Sequence, residues 1–288
     1  MKENTIALLP ATKPKKHNSA RIKFYIFLAL GVALILTGLF AEHLAPYDPY
    51  LQDHGKALLS PSLEHPFGTD RYGRDLFSRV IAGARTSILS TLALVLIVSC
   101  FGTILGICSA YLGNVFDSII MRISDICLAF PGLVFSMAIA AVLQGGVHNA
   151  IIALAAISWP KYSRIARGLT LTIKNSDFIM ASQLAGSSVF KIILVHILPN
   201  IIGPLMVTAV ADIGTMMMEI AALSFLGLGA KPPIAEWGSM MSSGRSMLQT
   251  YPWVVLSPGF AIFISVVIFN LLGDAARDYF DPQNKPSA

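Results

Sequence analysis

The chain has 288 residues, of which 55% are hydrophobic and 13% charged, with a formal net charge of +5. Soluble domains carry about 25% charged residues, so this composition excludes an ordinary soluble globular protein and indicates an integral membrane protein. The positive balance forms no basic stripe with aromatic interleaving, which excludes a nucleic-acid surface, and Cys100, Cys108 and Cys127 sit in apolar stretches without a CxxC pair, as small hydrophobes do.

A basic tail, residues 1–22, precedes the first charge-free run at 24–41. No small-residue cleavage site follows that run, so a retained transmembrane helix over 23–43 is expected rather than a signal peptide. Residues 44–85 form a long loop. "APYDPY" and "LLSPSLEHPFG" are Pro-rich and read as extended. "GTDRYGRDLFSRVIAGART" predicts a short helix capped by Thr69 or Asp70, with Leu76, Val80 and Ala84 at helical spacing. It reads as an interfacial amphipathic helix leading into the second span, or as a contact surface for an external partner.

Residues 86–274 form the predicted core. Spanning an apolar layer about 30 Å thick takes about 20 apolar residues. The charge-free window 126–160 is too long for one crossing, and "QGGVHN" at 144–149 divides it at a tight turn. Further spans are therefore expected over 87–111, 118–143, 149–170, 200–224 and 254–273, about six in all with the first. Arg122 and Asp125, three residues apart, suit a local ion pair. Lys and Arg are dense in the tail and in 161–195, whereas 42–85 balances five basic residues with six acids. The bias places both termini and 161–195 in the cytoplasm, and 42–85 outside. A short cytoplasmic tail, 275–288, ends the chain.

Within 175–199 the helix-forming run is interrupted by Gly186. Ser176 suits an N-cap, Asp177 the positive end of the helix dipole, and Gly186 a left-handed C-cap. Ser187 or Ser188 then caps a second helix climbing toward Pro199. Phe178, Ile179 and Leu184 read as apolar knobs, and Ala181, Ser182 and Ala185 allow close approach: the shape of a helix docked in a partner's groove, or of an interfacial connector. Further along, Asp212 and Glu219 lie seven residues apart in the fifth span, on roughly one helix face. Ionisable groups inside a membrane face a cavity or a partner, so the pair reads as a candidate translocation path or as a hydrogen-bonded tie to another helix. Met216, Met217 and Met218 beside them read as packing residues, and the six His form no HxxxH or HxH pair, so neither a metal site nor a cofactor is expected.

Met180-Ala181-Ser182, three residues, Gly186, nine residues and then His196-Ile197-Leu198-Pro199 resemble the coupling motif of ATP-binding-cassette (ABC) importer permeases, the EAA motif. The pattern's Glu is Met180 here and its second Ala is Ser182, which removes a carboxylate but leaves the docking shape. "HPFGTDRYGRDLFSRVIAGARTS" (65–87), "LSFLGLGAKPPIAEWGSM" (223–240) and "SPGFAIFISVVIFNLLGDAARDYFDP" (257–282) resemble the dipeptide/oligopeptide/nickel permease family, second-permease type. "FIMASQLAGS" and "ADIGTMMMEIAALSFLGLG" are most similar to its nickel-type subgroup. The resemblance implies an all-α, polytopic type I importer fold in a bacterial inner membrane and in contact with lipid. It also implies a homologous permease partner, two cytoplasmic ATP-binding subunits and an extracytoplasmic solute-binding protein. Phe178, Met180, Ala181, Ser182, Leu184, Gly186 and Pro199 would then contact an ATPase. No GxxxxGK[ST] phosphate loop occurs, so the chain itself is not expected to hydrolyse ATP. Nickel or a nickel–chelator complex is the expected solute, with di- or oligopeptides as the alternative. A stand-alone secondary transporter is remoter, because it calls for an internal repeat that the sequence lacks.

Overall fold

In the computed structural model, which describes residues 16–280, every regular element is helical apart from one isolated bridge between Thr69 and Asp75. The expected basic tail lies outside the described residues as far as residue 15, as do residues 281–288. Helix α1 (Lys16–Leu39) is followed by a short α2 (Ala41–Leu44) and an ordered segment, residues 45–75. Then come α3 (Leu76–Leu112), α4 (Asn114–Ala129), α5 (Gly132–Val142) and α6 (Val147–Ile173). Helix α7 (Asp177–Leu184) and the single turn α8 (Val189–Lys191) lead through a π-helical turn, Ile192–Ile197, into α9 (Leu198–Phe225). Helices α10 (Trp237–Gly244) and α11 (Trp253–Phe280) complete the chain.

Among the described residues, four stretches are long and apolar enough to cross a membrane: Ala20–Leu39, Leu76–Leu112, the continuous run Val189–Phe225, and Trp253–Phe280. The single span expected over 118–143 is instead α4 and α5, which meet at 94°. The cause is Pro131. Its ring disfavours helical backbone at Phe130, which is extended at φ −105°, ψ 151°. With that bent pair there are up to five candidate spans. Helix α6 has 27 residues and is therefore about 40 Å long, but Lys161, Arg164 and Arg167 lower the hydropathy of its second half.

Glycines let the long helices approach. A Cβ on Gly102 would stand 2.5 Å from the Trp159 carbonyl oxygen, and one on Gly106 would collide with that of Ser163, so α3 and α6 pack backbone against backbone. A Cβ on Gly273 would stand 2.5 Å from Ala211 Cα, which brings α11 equally close to α9. Side chains such as Leu96, Phe101, Phe260 and Phe263 point outward and stay exposed. That is the reverse of a water-soluble bundle, and it follows from an apolar surrounding in which helices associate by close packing.

The segment 45–75 is ordered by buried polar groups. Asp75 caps α3 by accepting from the Ser78 amide at 2.7 Å, and its other oxygen lies 2.9 Å from His65 Nδ1. The cap is therefore Asp75, not Thr69 or Asp70, and α3 runs unbroken from the predicted interfacial helix into the span. Thr69 instead ties the segment together, donating to the Lys56 carbonyl and accepting from the Leu59 amide. The turn at 144–149 has the expected form, with positive φ at Gln144, Gly145 and Gly146, and the Gly146 amide binds the Gly229 carbonyl at 3.0 Å. Helix α10 was not anticipated. Its cap is Glu236, an uncommon capping residue, which accepts from the Gly238 and Ser239 amides at 2.9 and 2.8 Å.

Candidate functional site

The segment 175–199 folds largely as its residues dictate. Asp177 begins α7, and Gly186 ends the turn with φ +77°. The Gly186 amide binds the Gln183 carbonyl at 2.9 Å and the Ser187 amide binds that of Ser182 at 3.1 Å, the paired bonds of a Schellman cap. Nothing lies within 4 Å of a Cβ placed on Gly186, so backbone conformation alone favours glycine there. Ser188 caps the next turn through the Lys191 amide at 3.4 Å. Ser176 stands at the N-cap of α7, but its hydroxyl turns back to the Ile173 carbonyl at 2.7 Å.

Two local expectations are corrected. Ile179 is no outward knob: it is fully buried and anchors α7 to the bundle. Its helical neighbour Gln183 reaches the Tyr111 hydroxyl at 3.4 Å. Pro199 does not close the run either. The helix passes through it, because the preceding π turn shifts the bonding to i−5, with the Leu198 amide on the Ile193 carbonyl. A wider turn relieves the clash between a proline ring and the carbonyl four residues back. The rest of α7 faces outward. Phe178 is 44% exposed, Met180 45% and Leu184 91%, with Ala181 exposed and Ser182 half-buried.

The platform beneath α7 is held by ion pairs that the sequence did not reveal. Arg167 of α6 grips Asp117 of α4 with two bonds of 2.6 Å, and Ser109 of α3 donates to the same carboxylate. Lys174 donates to the Ala110 carbonyl at 2.9 Å. Asp125 pairs with Arg164, not with Arg122, since a neighbouring helix offers the better geometry. The cations at 161–167 thus belong to α6 and bind its neighbours.

In α9, Asp212 is buried and doubly held. Lys161 Nζ lies 2.6 Å from one oxygen, and the Tyr162 hydroxyl donates to the other at 2.9 Å. Sequence order hides both partners, about fifty residues away on α6. Glu219 is half-buried, and its Oε2 is enclosed without a hydrogen-bond partner. Seven residues place it about 10 Å along the helix from Asp212. Met216 and Met217 are buried as packing residues, whereas Met218 is exposed.

The sequence matches known proteins over most of its length. Residues 100–286 match the model of the family described as the binding-protein-dependent transport system inner membrane component. A dipeptide transport system permease protein of Alkalihalophilus pseudofirmus is 41% identical over 275 residues, which cover 96% of this chain and 90% of that one. A nickel transport system permease protein of Escherichia coli is 39% identical over 264 residues, covering 92% and 95%. A glutathione transport system permease protein of Shigella sonnei is 43% identical over 256 residues, covering 88% and 84%. Among solved structures, an inward-facing form of the MetNI methionine ABC transporter matches with a TM-score of 0.48 and 20% identity, over 65% of this chain and 91% of that chain. These relatives differ in the solute they are named for and hardly at all in identity to this chain. The chain therefore belongs to the binding-protein-dependent inner-membrane permeases of ABC importers, in the group that includes dipeptide, nickel and glutathione permeases.

Proposed function

We propose that this chain forms one half of the translocation pore of an ATP-driven importer, with a homologous permease as the other half. Two cytoplasmic ATP-binding subunits drive it, and an extracytoplasmic solute-binding protein delivers the solute. Both termini and the 175–199 segment lie in the cytoplasm, with 42–85 outside. The observation that carries this reading is α7. An eight-residue helix anchored by Ile179 and closed by Gly186 turns Phe178, Met180 and Leu184 away from its own bundle. An anchored helix with an unpartnered apolar face suits docking in a groove of the ATPase. Leu184→Asp together with Phe178→Asp should leave membrane insertion intact and abolish co-purification with the ATP-binding subunits. Normal co-purification and uptake in that variant would overturn the coupling role.

For the solute, the subgroup resemblance and the unpaired Glu219 favour nickel or a nickel–chelator complex. The state of Asp212 favours a peptide, because Lys161 already neutralises the carboxylate that a passing cation would use. Uptake of radiolabelled nickel and of labelled dialanine, measured side by side in vesicles, separates the two readings.

A further inference from the structure

The segment 45–75, outside in the proposed topology, and the α9–α10 connection line an open cavity of about 380 Å³, within the range of about 300–1,000 Å³ usual for small-molecule sites. Four cations line it, Arg71, Arg74, Arg79 and Lys231, and no Asp or Glu does among the described residues. Arg74 and Arg79 are buried, 8% and 5% exposed. They share one carboxylate. Arg74 Nε and Nη2 both lie 2.7 Å from Asp70 Oδ2, and Arg79 Nε lies 3.7 Å from the same oxygen. Arg79 Nη1 donates to the Pro49 carbonyl at 2.9 Å. Arg71 and Lys231 are exposed and take part in no ion pair among the described residues. The guanidinium carbons of Arg71 and Arg74 each lie 4.7 Å from the centre of the Tyr72 ring, which braces them. Asp70 pairs with Arg74 and Arg79, and Glu236, behind Ser239, is held by the α10 amides, so the four lining cations keep a surplus of positive charge in a concave, partly water-excluded site. Arginine presents a planar fork matched to a carboxylate, while a bare divalent cation meets only repulsion there.

We propose that this cavity binds an organic carboxylate on the outer side of the permease, and that the carboxylate is the acidic end of the released solute. The proposal rests on the importer reading and narrows it: a peptide terminus or a carboxylate-rich metal chelate fits, and a free metal ion does not. The second source of the same chemistry is an acidic side chain of the docked binding protein.

The test uses the complete importer in proteoliposomes and the double variant Arg71→Gln/Lys231→Gln, which spares the buried arginines. Two quantities are read: the ratio of ATP-driven uptake of dialanine to that of dialanine amide, and the Kd of the solute-free binding protein. The expected result is a ratio lowered about tenfold, as loss of a charge-assisted contact implies, with Kd unchanged. The control Arg245→Gln, outside the cavity, should change neither quantity. A weakened Kd with an unchanged ratio would overturn the assignment to the solute and give the site to an acidic side chain of the binding protein. No change in either quantity overturns the proposal, as does free nickel carried at the wild-type rate in preference to both dialanine probes. Absence from the wild-type complex of any ATP hydrolysis stimulated by the binding protein is a separate failure, of the importer reading itself, and it removes the proposal too.

Discussion

Lys161, Tyr162 and Asp212 show what a single buried carboxylate demands. Asp212 is 6% exposed and has one charged and one neutral donor. Lys161→Met would leave the buried Asp212 carboxylate with Tyr162 as its one remaining donor, and an uncompensated buried charge should destabilise the fold clearly. Asp212→Asn should be milder, because the Lys161 side chain is 50% exposed and keeps its water. Thermal unfolding of the purified protein should order the variants that way. Glu219→Gln should leave stability unchanged, since Glu219 Oε2 has no partner to lose, so any loss of uptake in that variant reports transport itself. Gly186→Val places a β-branched residue at φ +77°, where the left-handed conformation costs roughly 1–2 kcal/mol. It should insert normally yet bind the ATP-binding subunits weakly, with Gly186→Asn closer to wild type in a co-purification assay.

At the scale of elements, glycines of one type divide into two kinds. Gly102 and Gly106 hold α3 against α6, and any side chain there meets backbone atoms. Gly102→Val should separate the helices and abolish the folded state. Gly168 lies in the interior of α6, away from the left-handed region, and a Cβ placed on it would have no neighbour within 4 Å. Gly168→Ala should therefore stabilise by about 0.4–1 kcal/mol, measured as a raised midpoint in thermal unfolding. Helix α10 depends on Glu236, which is 1% exposed. Burial pushes its carboxyl pKa above the usual value, while the amides of Gly238 and Ser239 pull it back. A raised folded-state pKa contributes stability that is complete below the unfolded value and is lost as pH rises through the folded one. Replacing Glu236 with Gln should flatten that decline, at the expense of part of the cap.

Over the whole molecule, the expected topology has a direct check. With Cys100, Cys108 and Cys127 removed, a cysteine at His54 should react only with reagent added outside, and one at Leu184 only from the cytoplasm. The reverse pattern would invert the molecule and detach α7 from any ATPase. Spectroscopic depth labels along α6 should place Ala153 inside the apolar layer and Arg167 at its edge, which would make α6 the sixth span despite its three cations.

Composition, charge-free windows and local caps were sufficient for the helical class, for the positions of most of the long apolar helices, and for the Gly186 cap. Each of these depends on residues within a few positions of one another, where helix periodicity and backbone sterics act. The break between the helix starting at Asp177 and the turn capped by Ser188 was legible for the same reason. Tertiary structure decided what joins distant residues. Asp212 met Lys161, Asp117 met Arg167, and Asp125 chose Arg164 over Arg122, because helix packing sets which charges face one another. It also turned Ile179 inward and carried the helix through Pro199. The cationic cavity required Arg71, Arg74 and Arg79 to converge with Lys231 across more than 150 residues of chain. No sequence window contains that surplus of charge; it exists only where the segment 45–75 folds over the start of α10.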